Sequence, residues 1–252
     1  MLLSARGVSV RFGGLHALDG VDLDVTAGQI TGLIGPNGAG KTTLFDVLSG
    51  LLRPGSGTAQ FQGRDITDWS PHRRGRAGIA RTFQRLELFT GMTVEDNLVA
   101  AWEAAHSWAI LGRGRNERRS RVGAVVDLLD LGGVAHRKAG ELSTGLGRMV
   151  ELGRALCTDP HVLMLDEPSS DLDVGETQRF AEVLRQIAGE STADHPLGVL
   201  LVEHDMALVM EVCHVITVLD FGRRIANGTP AEIRRDAAVR AAYLGESDSD
   251  VA

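Results

Sequence analysis

The chain has 252 residues, of which 43% are hydrophobic and 23% are charged, and these values are ordinary for a globular protein with a sizeable core. The formal net charge of −7 argues against a general electrostatic attraction to nucleic acid or to anionic lipid. No apolar run approaches the roughly eighteen residues of a membrane helix, so a role at a membrane would require another chain to cross it.

The first part of the chain has β character. Residues 8–10 and 21–25 are short strand patterns separated by turns, and residues 2–34 as a whole predict an antiparallel start. Residues 58–61 and 64–66 extend this pattern. We therefore expect an antiparallel β region on either side of the segment described next.

Residues 35–43, here called the phosphate loop, match the nucleotide-binding pattern G-x-x-x-x-G-K-[ST]. A β-branched apolar run precedes the loop at residues 30–34, and residues 43–48 follow it with helical apolar spacing. Glycines let the backbone present a concave set of N–H donors, and the positive end of the following helix faces the phosphates. The pattern predicts phosphate contacts for Asn37, Gly38, Ala39, Gly40, Lys41, Thr42 and Thr43.

Lysine is rare in this chain, because only two of the 26 basic side chains are lysines, Lys41 and Lys138. The position of Lys41 in the phosphate loop suits a slim point charge, which arginine does not supply. We expect its ammonium group to reach the β- and γ-phosphates and the Thr42 hydroxyl to bind Mg²⁺. The alternative interpretation is a glycine-rich turn between a strand and a helix.

The sequence pattern changes between about residues 92 and 157, where apolar residues recur at helical spacing and predict a mostly helical lobe. Strand patterns return at residues 162–165, 198–202 and 215–219, with helical stretches between them. This alternation predicts an α/β fold with a mixed, mainly parallel sheet that is covered on both faces. Residues 246–250 predict a frayed acidic tail.

Two adjacent carboxylates, Asp166 and Glu167, follow the strand pattern at residues 162–165. In an open α/β sheet the carboxyl ends of the strands face the ligand crevice. Asp166 is expected to help hold the Mg²⁺ that Thr42 binds, and Glu167 to face a water poised for attack on the γ-phosphate. An apolar run followed by two carboxylates often marks only a strand that ends at the surface, but its place after a phosphate loop favours the catalytic interpretation.

Five further motifs occur in the order found in the ATP-binding subunits of ABC transporters, and the chain resembles that family over about residues 3–244. The resemblance implies that Phe12 stacks on adenine, that Gln84 senses Mg²⁺ and couples to a membrane partner, and that His204 contacts the γ-phosphate. The other two motifs are the signature segment at residues 142–146 and a loop at residues 170–173 that communicates between subunits. Each of these residues, taken alone, has a structural alternative. Phe12 could pack in the core, Gln84 could cap a helix, and His204 could be a hydrogen-bonded histidine at the end of a strand.

The resemblance implies the P-loop NTPase fold of an ABC cassette: a mixed, mainly parallel sheet core, an antiparallel β subdomain and a helical subdomain. A single ABC ATPase domain is expected over residues 1–252. The core and β subdomain would occupy about 1–91 and 158–252, and the helical subdomain about 92–157.

Family members bind two ATP molecules between two cassettes that face each other head to tail. The resemblance therefore implies ATP and Mg²⁺ as cofactors, ATP hydrolysis as the activity, and a second cassette, either a copy or a related chain, as a partner. Ser143 is expected to cap a helix over residues 145–156, so that its hydroxyl, the Gly145 N–H and the helix dipole face the γ-phosphate held by the other cassette. Catalytic roles are implied for Glu167, His204, Lys41 and Gln84, and Mg²⁺ contacts for Thr42, Gln84 and Asp166.

Two residues depart from the family pattern. Leu146 replaces a glutamine that contacts the ribose of the other nucleotide, a loss on the order of 1 kcal/mol for a neutral hydrogen bond. Asp171 places a carboxylate where glycine or alanine is common, close to the phosphates of another cassette, where it would either weaken ATP binding or simply point to solvent. Ser143 and Gly145, which face the phosphate, are retained, so an active and somewhat slower ATPase is expected.

Within the family, the chain is similar to importer subunits for branched-chain amino acids and related amides. The markers are segments at residues 10–15, 81–84, 88–89, 92–98, 202–206, 226–230 and 242–245. The resemblance implies transmembrane permease subunits as partners, a periplasmic or extracellular solute-binding protein as an indirect partner, and a peripheral position on the cytoplasmic face of the inner (plasma) membrane. The alternatives are a cassette that powers lipopolysaccharide export and a non-transport ABC ATPase, which the single phosphate loop and the negative charge disfavour.

The remaining features have simpler interpretations. Leu86, Leu88, Phe89 and Arg85 are candidates for contact with a helix of the membrane subunit, with core packing as the alternative. The basic runs at residues 72–76 and 113–121 are interpreted as solvated helix faces or loops. Cys157 and Cys213 lack metal-like spacing, which favours a reduced cytoplasmic protein.

Overall fold

The structure is a computed structural model that describes residues 1–82, 86–106 and 114–244. The strands in these ranges are β1 (Leu3–Phe12), β2 (Leu15–Val25), β3 (Ile30–Ile34), β4 (Ser56–Phe61), β5 (Arg64–Asp65), β6 (Ile79–Arg81), β7 (Val162–Asp166), β8 (Gly198–Val202), β9 (Val215–Asp220) and β10 (Arg223–Gly228). The helices are α1 (Lys41–Ser49), α2 (Pro71–Arg76), α3 (Val94–Ala105), α4 (Arg115–Leu128), α5 (Thr144–Leu156), α6 (Val174–Gly189), α7 (Met206–Val212), α8 (Pro230–Arg235) and α9 (Ala237–Leu244). None of these helices is long and apolar enough to cross a membrane.

One sheet is antiparallel and has the strand order β2-β1-β4-β5. β1 and β2 form a hairpin in which Phe12 lies opposite Leu15 across the turn at Gly13 and Gly14. Gly13 adopts a φ of 59°, which glycine tolerates without steric cost. The antiparallel β region predicted from the alternating patterns is confirmed for β1, β2, β4 and β5, whereas residues 30–34, the end of the predicted antiparallel start, form β3 of the second sheet.

The second sheet has the order β10-β9-β3-β8-β7-β6, and every pairing in it is parallel except that of β10 with β9. All residues of β3, β7 and β8 are buried, because helices cover both faces of a sheet built from parallel strands. The phosphate loop follows β3, Glu203 follows β8, and Asp166 ends β7. Three neighbouring strands thus deliver polar residues to the same edge of the sheet.

A helical lobe formed by α3, α4 and α5 packs beside this sheet. The three helices meet closely at Gly153 of α5, where a Cβ atom would lie 2.8 Å from Leu98 of α3 and 2.9 Å from Leu129 at the end of α4. The lobe lies in the part of the chain where the spacing of apolar residues predicts helices. The residue boundaries of the subdomains stay a prediction.

The interpretation of residues 72–76 as a solvated basic run is wrong for Arg74, which is 1% exposed. Its guanidinium donates hydrogen bonds to the carbonyl oxygens of Val47, Leu48, Ile66, Thr67 and Trp69 at 2.6–3.2 Å. Burial lowers the pKa of Arg74 to about 10. These hydrogen bonds connect α2 to the end of α1 and to the antiparallel sheet. The five carbonyl acceptors also replace the water that the guanidinium loses when it is buried.

Several short elements were not predicted. β6 has three residues and lies beside β7 at the edge of the sheet, whereas β5, with two residues, falls within the strand pattern predicted at residues 64–66. α2 begins with Ser70, whose hydroxyl caps the helix, and with Pro71 at its first position. Such short segments carry too few residues for a periodic pattern to emerge from the sequence.

Candidate nucleotide site

The phosphate loop connects buried β3 to α1, as predicted. Lys41 opens α1 and is 8% exposed. Its Nζ donates hydrogen bonds to the carbonyl oxygens of Gly35 at 2.5 Å and Pro36 at 3.0 Å. The ammonium group is therefore held across the loop by the loop's own backbone, at the start of a helix whose N-terminal end favours an anion.

Two glycines of the loop are required by the packing around it. A Cβ atom at Gly35 would lie 2.1 Å from the Leu219 carbonyl oxygen, and one at Gly40 would lie 2.6 Å from the Ala17 carbonyl oxygen. Gly40 also has a φ of 100°, which L-residues rarely adopt. The loop consequently fits tightly against β2 and the end of β9.

Asp166 is 6% exposed at the end of β7. Its pKa is raised to about 6, first by burial and then by the neighbouring charge of Glu167, with further contributions from Asp46 and Glu203. Arg81 opposes this shift. A carboxylate that is close to other negative charges is stabilised when it binds a cation.

The donor set fits Mg²⁺. In the described ranges, no three His, Cys, Asp or Glu residues are grouped so as to hold a metal ion by themselves. Mg²⁺ in nucleotide sites instead takes one or two protein oxygens together with phosphates and water. Thr42, exposed in the first turn of α1, and Asp166 supply such oxygens.

Glu167 and His204 are brought together. The Nδ1 atom of His204 lies 3.9 Å from Oε1 of Glu167, and their side chains are 63% and 23% exposed respectively. Glu167 has a φ of 47°, and its N–H donates a hydrogen bond to the Val202 carbonyl oxygen at 2.9 Å. This unusual backbone turns the Glu167 side chain away from the path of β7 and out of the buried core.

Phe12 is 53% exposed at the end of the β1–β2 hairpin. Because the ring is exposed, the core-packing alternative does not hold. Leaving an aromatic ring of this size in water costs free energy, which favours a role in contact with another group. An exposed ring provides the flat apolar face that stacking on a base requires.

The signature segment opens α5, which starts at Thr144, one residue before the predicted start. Ser143 is the N-cap, and its Oγ accepts a hydrogen bond from the Leu146 N–H at 3.4 Å. The Ser143 hydroxyl also lies 3.4 Å from Oε1 of Glu176. A Cβ atom at Gly145 would come within 2.2 Å of that carboxylate, so glycine is needed wherever Glu176 holds this place.

Leu146 is half-buried and packs against the main hydrophobic core. The leucine at a position where the family has glutamine thus gains packing in its own chain. Asp171 is exposed and has a φ of 68°. Its carboxylate is free to point to water, which agrees with the milder of the two effects expected for it.

A family model described as ABC transporter matches residues 18–170, which is more than half of the chain. The chain belongs to the ABC transporter ATP-binding family. A second model, described as branched-chain amino acid ATP-binding cassette transporter, matches residues 223–249.

Relatives of this cassette match it over nearly its whole length. It is 37% identical to the high-affinity branched-chain amino acid transport ATP-binding protein BraF of Pseudomonas aeruginosa, covering 98% of both chains. It is 30% identical to the lipopolysaccharide export system ATP-binding protein LptB of Haemophilus influenzae, covering 97% of this chain and 98% of the relative. The solved ADP conformation of an ATP-binding cassette of an ABC transporter is 30% identical, with a TM-score of 0.81, and covers 97% of this cassette and 98% of that chain.

These comparisons confirm the predicted family, the α/β cassette fold and the assignment as an ATP-hydrolysing, nucleotide-binding transporter subunit. The structure brings together Lys41, Thr42, Asp166, Glu167 and His204 at one edge of the parallel sheet, in line with their predicted roles. Their individual functions stay predictions. Gln84, predicted to sense Mg²⁺, and Arg85 lie outside the described residues, as does the predicted acidic tail.

A cleft of about 670 Å³ separates the core of the cassette from its helical lobe. It is lined on one side by residues of α2 and β6 and on the other by residues of α3 and α5, including Arg81, Ala101 and Arg154. Of the docking candidates beside it, Leu86 is 40% exposed and Phe89 is 49% exposed, while Leu88 is partly buried against the core. Core packing thus explains Leu88 better than it explains Phe89.

Sequence reasoning missed three acidic and basic side chains near the site. Glu203 is fully buried beside His204, Arg148 is buried on α5, and Glu176 covers Gly145. Glu203 adjoins a predicted motif, but nothing in a single sequence distinguishes a buried carboxylate from an exposed one at the end of a strand. Beside partners within one helical turn, Arg148 contacts Ser170, which is 22 residues away along the chain, and Glu176 contacts Ser143, which is 33 residues away.

Proposed function

We propose that this cassette hydrolyses MgATP at a site completed by a second cassette, and that the cycle drives import of branched-chain amino acids or related small polar solutes through permease subunits. The observation that carries the catalytic part is the convergence of Lys41, Asp166, Glu167 and His204 beyond β3, β7 and β8. The transport part is supported by the relatives' names and by the match of residues 223–249 to a branched-chain amino acid cassette model.

Nucleotide binding rests on three groups of residues. Phe12 would stack on the adenine ring. The backbone N–H groups at Asn37, Gly38, Ala39, Gly40 and Thr43 would surround the phosphates, with Lys41 placed to contact the β- and γ-phosphates. Thr42 and Asp166, with Gln84, would hold Mg²⁺, which supplies neutralisation of the charge that develops on the phosphates.

Hydrolysis requires an oriented water in line with the bond that breaks. Glu167 is half-buried and faces His204, so a water bound to its carboxylate would have its attack on the γ-phosphate directed by both side chains. His204 would also donate a hydrogen bond to the γ-phosphate.

The second cassette would complete the phosphate shell. Ser143 and Thr144 at the N-terminal end of α5 are exposed, and they belong to the helical lobe rather than to the phosphate loop. In a head-to-tail pair, this helix end would face the γ-phosphate of the other cassette and stabilise the charge of the transition state. A second copy and a related chain both satisfy this arrangement.

The cleft beside the helical lobe would receive a short helix from a permease subunit. Leu86 and Phe89 supply exposed apolar contacts at its edge, and Arg154 lies 4.8 Å above the Phe89 ring. Through such contacts the cassette would be held at the cytoplasmic face of the membrane, with a solute-binding protein acting on the far side.

Lipopolysaccharide export is the second candidate, since LptB is 30% identical over nearly the same length. Identity to BraF is higher, at 37%, and a branched-chain amino acid cassette model matches residues 223–249. These two observations favour import.

Uptake of radiolabelled leucine tests the proposal. Cells carrying the wild-type cassette should accumulate leucine, and cells carrying only Lys41→Ala should not. Lys138→Ala is the matched control, because Lys138 is exposed and distant in sequence from the phosphate loop. Uptake that is unaffected by Lys41→Ala, together with envelope defects typical of lost lipopolysaccharide export, would favour the second candidate.

A further inference from the structure

Two buried charged side chains contact consecutive residues in the segment that follows Glu167. Nη2 of Arg148 donates a hydrogen bond to Oγ of Ser170 at 3.1 Å. The N–H of Ser169 donates a hydrogen bond to Oε1 of Glu203 at 2.8 Å. One contact reaches this pair of serines from α5 and the other from the end of β8.

Arg148 belongs to the helix that Ser143 caps. Its side chain is 4% exposed, and its Nη1 pairs with Oε2 of Glu151, whose side chain is 9% exposed, at 3.0 Å. Buried ion pairs lose about as much by desolvation as they gain by attraction, so stability alone does not explain such a pair. A helix is stiff over one or two turns, and the contact with Ser170 therefore links the backbone near Glu167 to the signature end of α5.

Glu203 serves the other side of the same link. It is 0% exposed, and its second oxygen, Oε2, accepts a hydrogen bond from the His204 N–H at 3.2 Å. One carboxylate thus fixes the backbone at Ser169 and at His204 together. Glu167 is attached nearby through the hydrogen bond from its N–H to the Val202 carbonyl oxygen.

We propose that Arg148 and Glu203 are positioning residues that couple the signature end of α5 to Glu167 and His204 through Ser169 and Ser170. This inference rests on the proposed composite site, in which Ser143 serves the nucleotide of the other cassette while Glu167 and His204 serve the nucleotide of their own chain. The link lets engagement of one nucleotide by Ser143 set the geometry at the other. A cassette without it binds ATP and assembles, but hydrolyses slowly.

The contact between Arg148 and Ser170 is tested by a double-mutant cycle on the full chain with its co-purifying partner chains. Ser170→Ala removes the acceptor with little change in volume, and Arg148→Lys keeps the charge beside Glu151 but loses the fork of the guanidinium. Each single variant should lower kcat by about tenfold, the effect of losing one hydrogen bond to a charged group. The double variant should show a similar loss, because all three break the same contact. The Kd for ATP should change less than about twofold, because residues 35–43 are untouched.

Glu203→Gln tests the other half of the link. The amide keeps the volume of the side chain but turns a donor toward one of two backbone N–H groups, so kcat should fall while the Kd for ATP is retained. Arg185→Lys and Glu182→Gln repeat the same chemical changes at more exposed positions on α6 and should keep wild-type kcat.

Trapping of ATP-bound dimers by Glu167→Gln separates the two proposals. The expected result is that this variant forms ATP-dependent dimers both with and without Ser170→Ala. Absence of dimers in Glu167→Gln alone would overturn the composite site. Dimers that disappear only when Ser170→Ala is added would make the serine an assembly residue and overturn the positioning role. Wild-type kcat in Ser170→Ala and Glu203→Gln, or losses that multiply in the double variant, would overturn the link alone.

Discussion

The imidazole of His204 lies 3.9 Å from the carboxylate of Glu167, although 37 residues separate them along the chain. The two side chains meet because β7 and β8 are neighbours and end at the same edge of the sheet. A water between them would have one acceptor and one hydrogen-bonding ring to orient it.

Glu167→Gln is expected to lower kcat by about a hundredfold or more, because general-base catalysis contributes that much in typical enzymes. The amide keeps the shape of the side chain, and the φ of 47° at this position is already borne by a non-glycine residue. ATP binding should therefore remain. Single-turnover hydrolysis and the Kd for ATP are the measurements, with Glu182→Gln as the control. Normal turnover would remove Glu167 from the catalytic role.

Phe12→Ala should raise the Kd for ATP by about tenfold, since a stacking contact between a base and an aromatic side chain contributes about 1–3 kcal/mol. Leu15→Ala is the matched control, because Leu15 lies opposite Phe12 in the hairpin and is 69% exposed. Phe12→Tyr should preserve binding. Equal losses in Phe12→Ala and Leu15→Ala would point to hairpin stability rather than stacking.

Gly145→Ala should slow hydrolysis, because its Cβ would lie 2.2 Å from the Glu176 carboxylate, and the clash would distort the N-terminal turn of α5 that is proposed to face the nucleotide of the other cassette. Adding Glu176→Ala creates the missing space, so the double variant should lose little beyond Glu176→Ala itself. Gly189→Ala tests the same change where no atom lies within 4 Å of the new methyl group. Steady-state ATPase rates decide the outcome, and an unrelieved loss in the double variant would contradict the steric explanation.

Arg74→Met should reduce the free energy of unfolding by about 3 kcal/mol, because it removes the guanidinium that donates hydrogen bonds to five carbonyl oxygens. Urea denaturation measures the change. Arg76→Met on the same helix is the control, since Arg76 is exposed. Equal stability of the two variants would show that the carbonyl oxygens find other donors.

Alkylation of Cys157 and Cys213 should be very slow in the folded protein at pH 8. Burial raises the pKa of both thiols to about 12, and the thiolate is the reactive form. The folded pKa of each thiol lies above the unfolded value of about 8.5. The unfolded chain therefore loses these protons first, and the free energy of unfolding falls as the pH rises from about 9 toward 12. Rapid labelling by iodoacetamide without denaturant would contradict the burial, and labelling in denaturant serves as the control.

The sequence predicted most of the fold and the local parts of the site for a common physical reason. The phosphate loop, the strand before it and the carboxylates at Asp166 and Glu167 are set by neighbours in the sequence, so their patterns are visible in a short window. Ser143 follows the same rule, because a helix cap depends on residues within one turn.

What could not be predicted depends on contacts between distant residues. Arg74 looks like any surface arginine until α1 and the antiparallel sheet place carbonyl oxygens around it. Glu203 meets Ser169, 34 residues away, only after β7 and β8 pair. The half-buried Leu146 likewise gains its packing from the core of the folded chain rather than from its own helix.

The scarcity of lysine makes the phosphate loop chemically addressable. Apart from the chain terminus, an amine-directed reagent has only Lys41 and Lys138 to modify. Lys138 is exposed, whereas Lys41 is 8% exposed and held by two carbonyl oxygens. Mass spectrometry can therefore measure the labelling of Lys41 relative to that of Lys138. The labelling of Lys138 corrects for the amount of reagent, and the labelling of Lys41 reports nucleotide occupancy without any introduced probe.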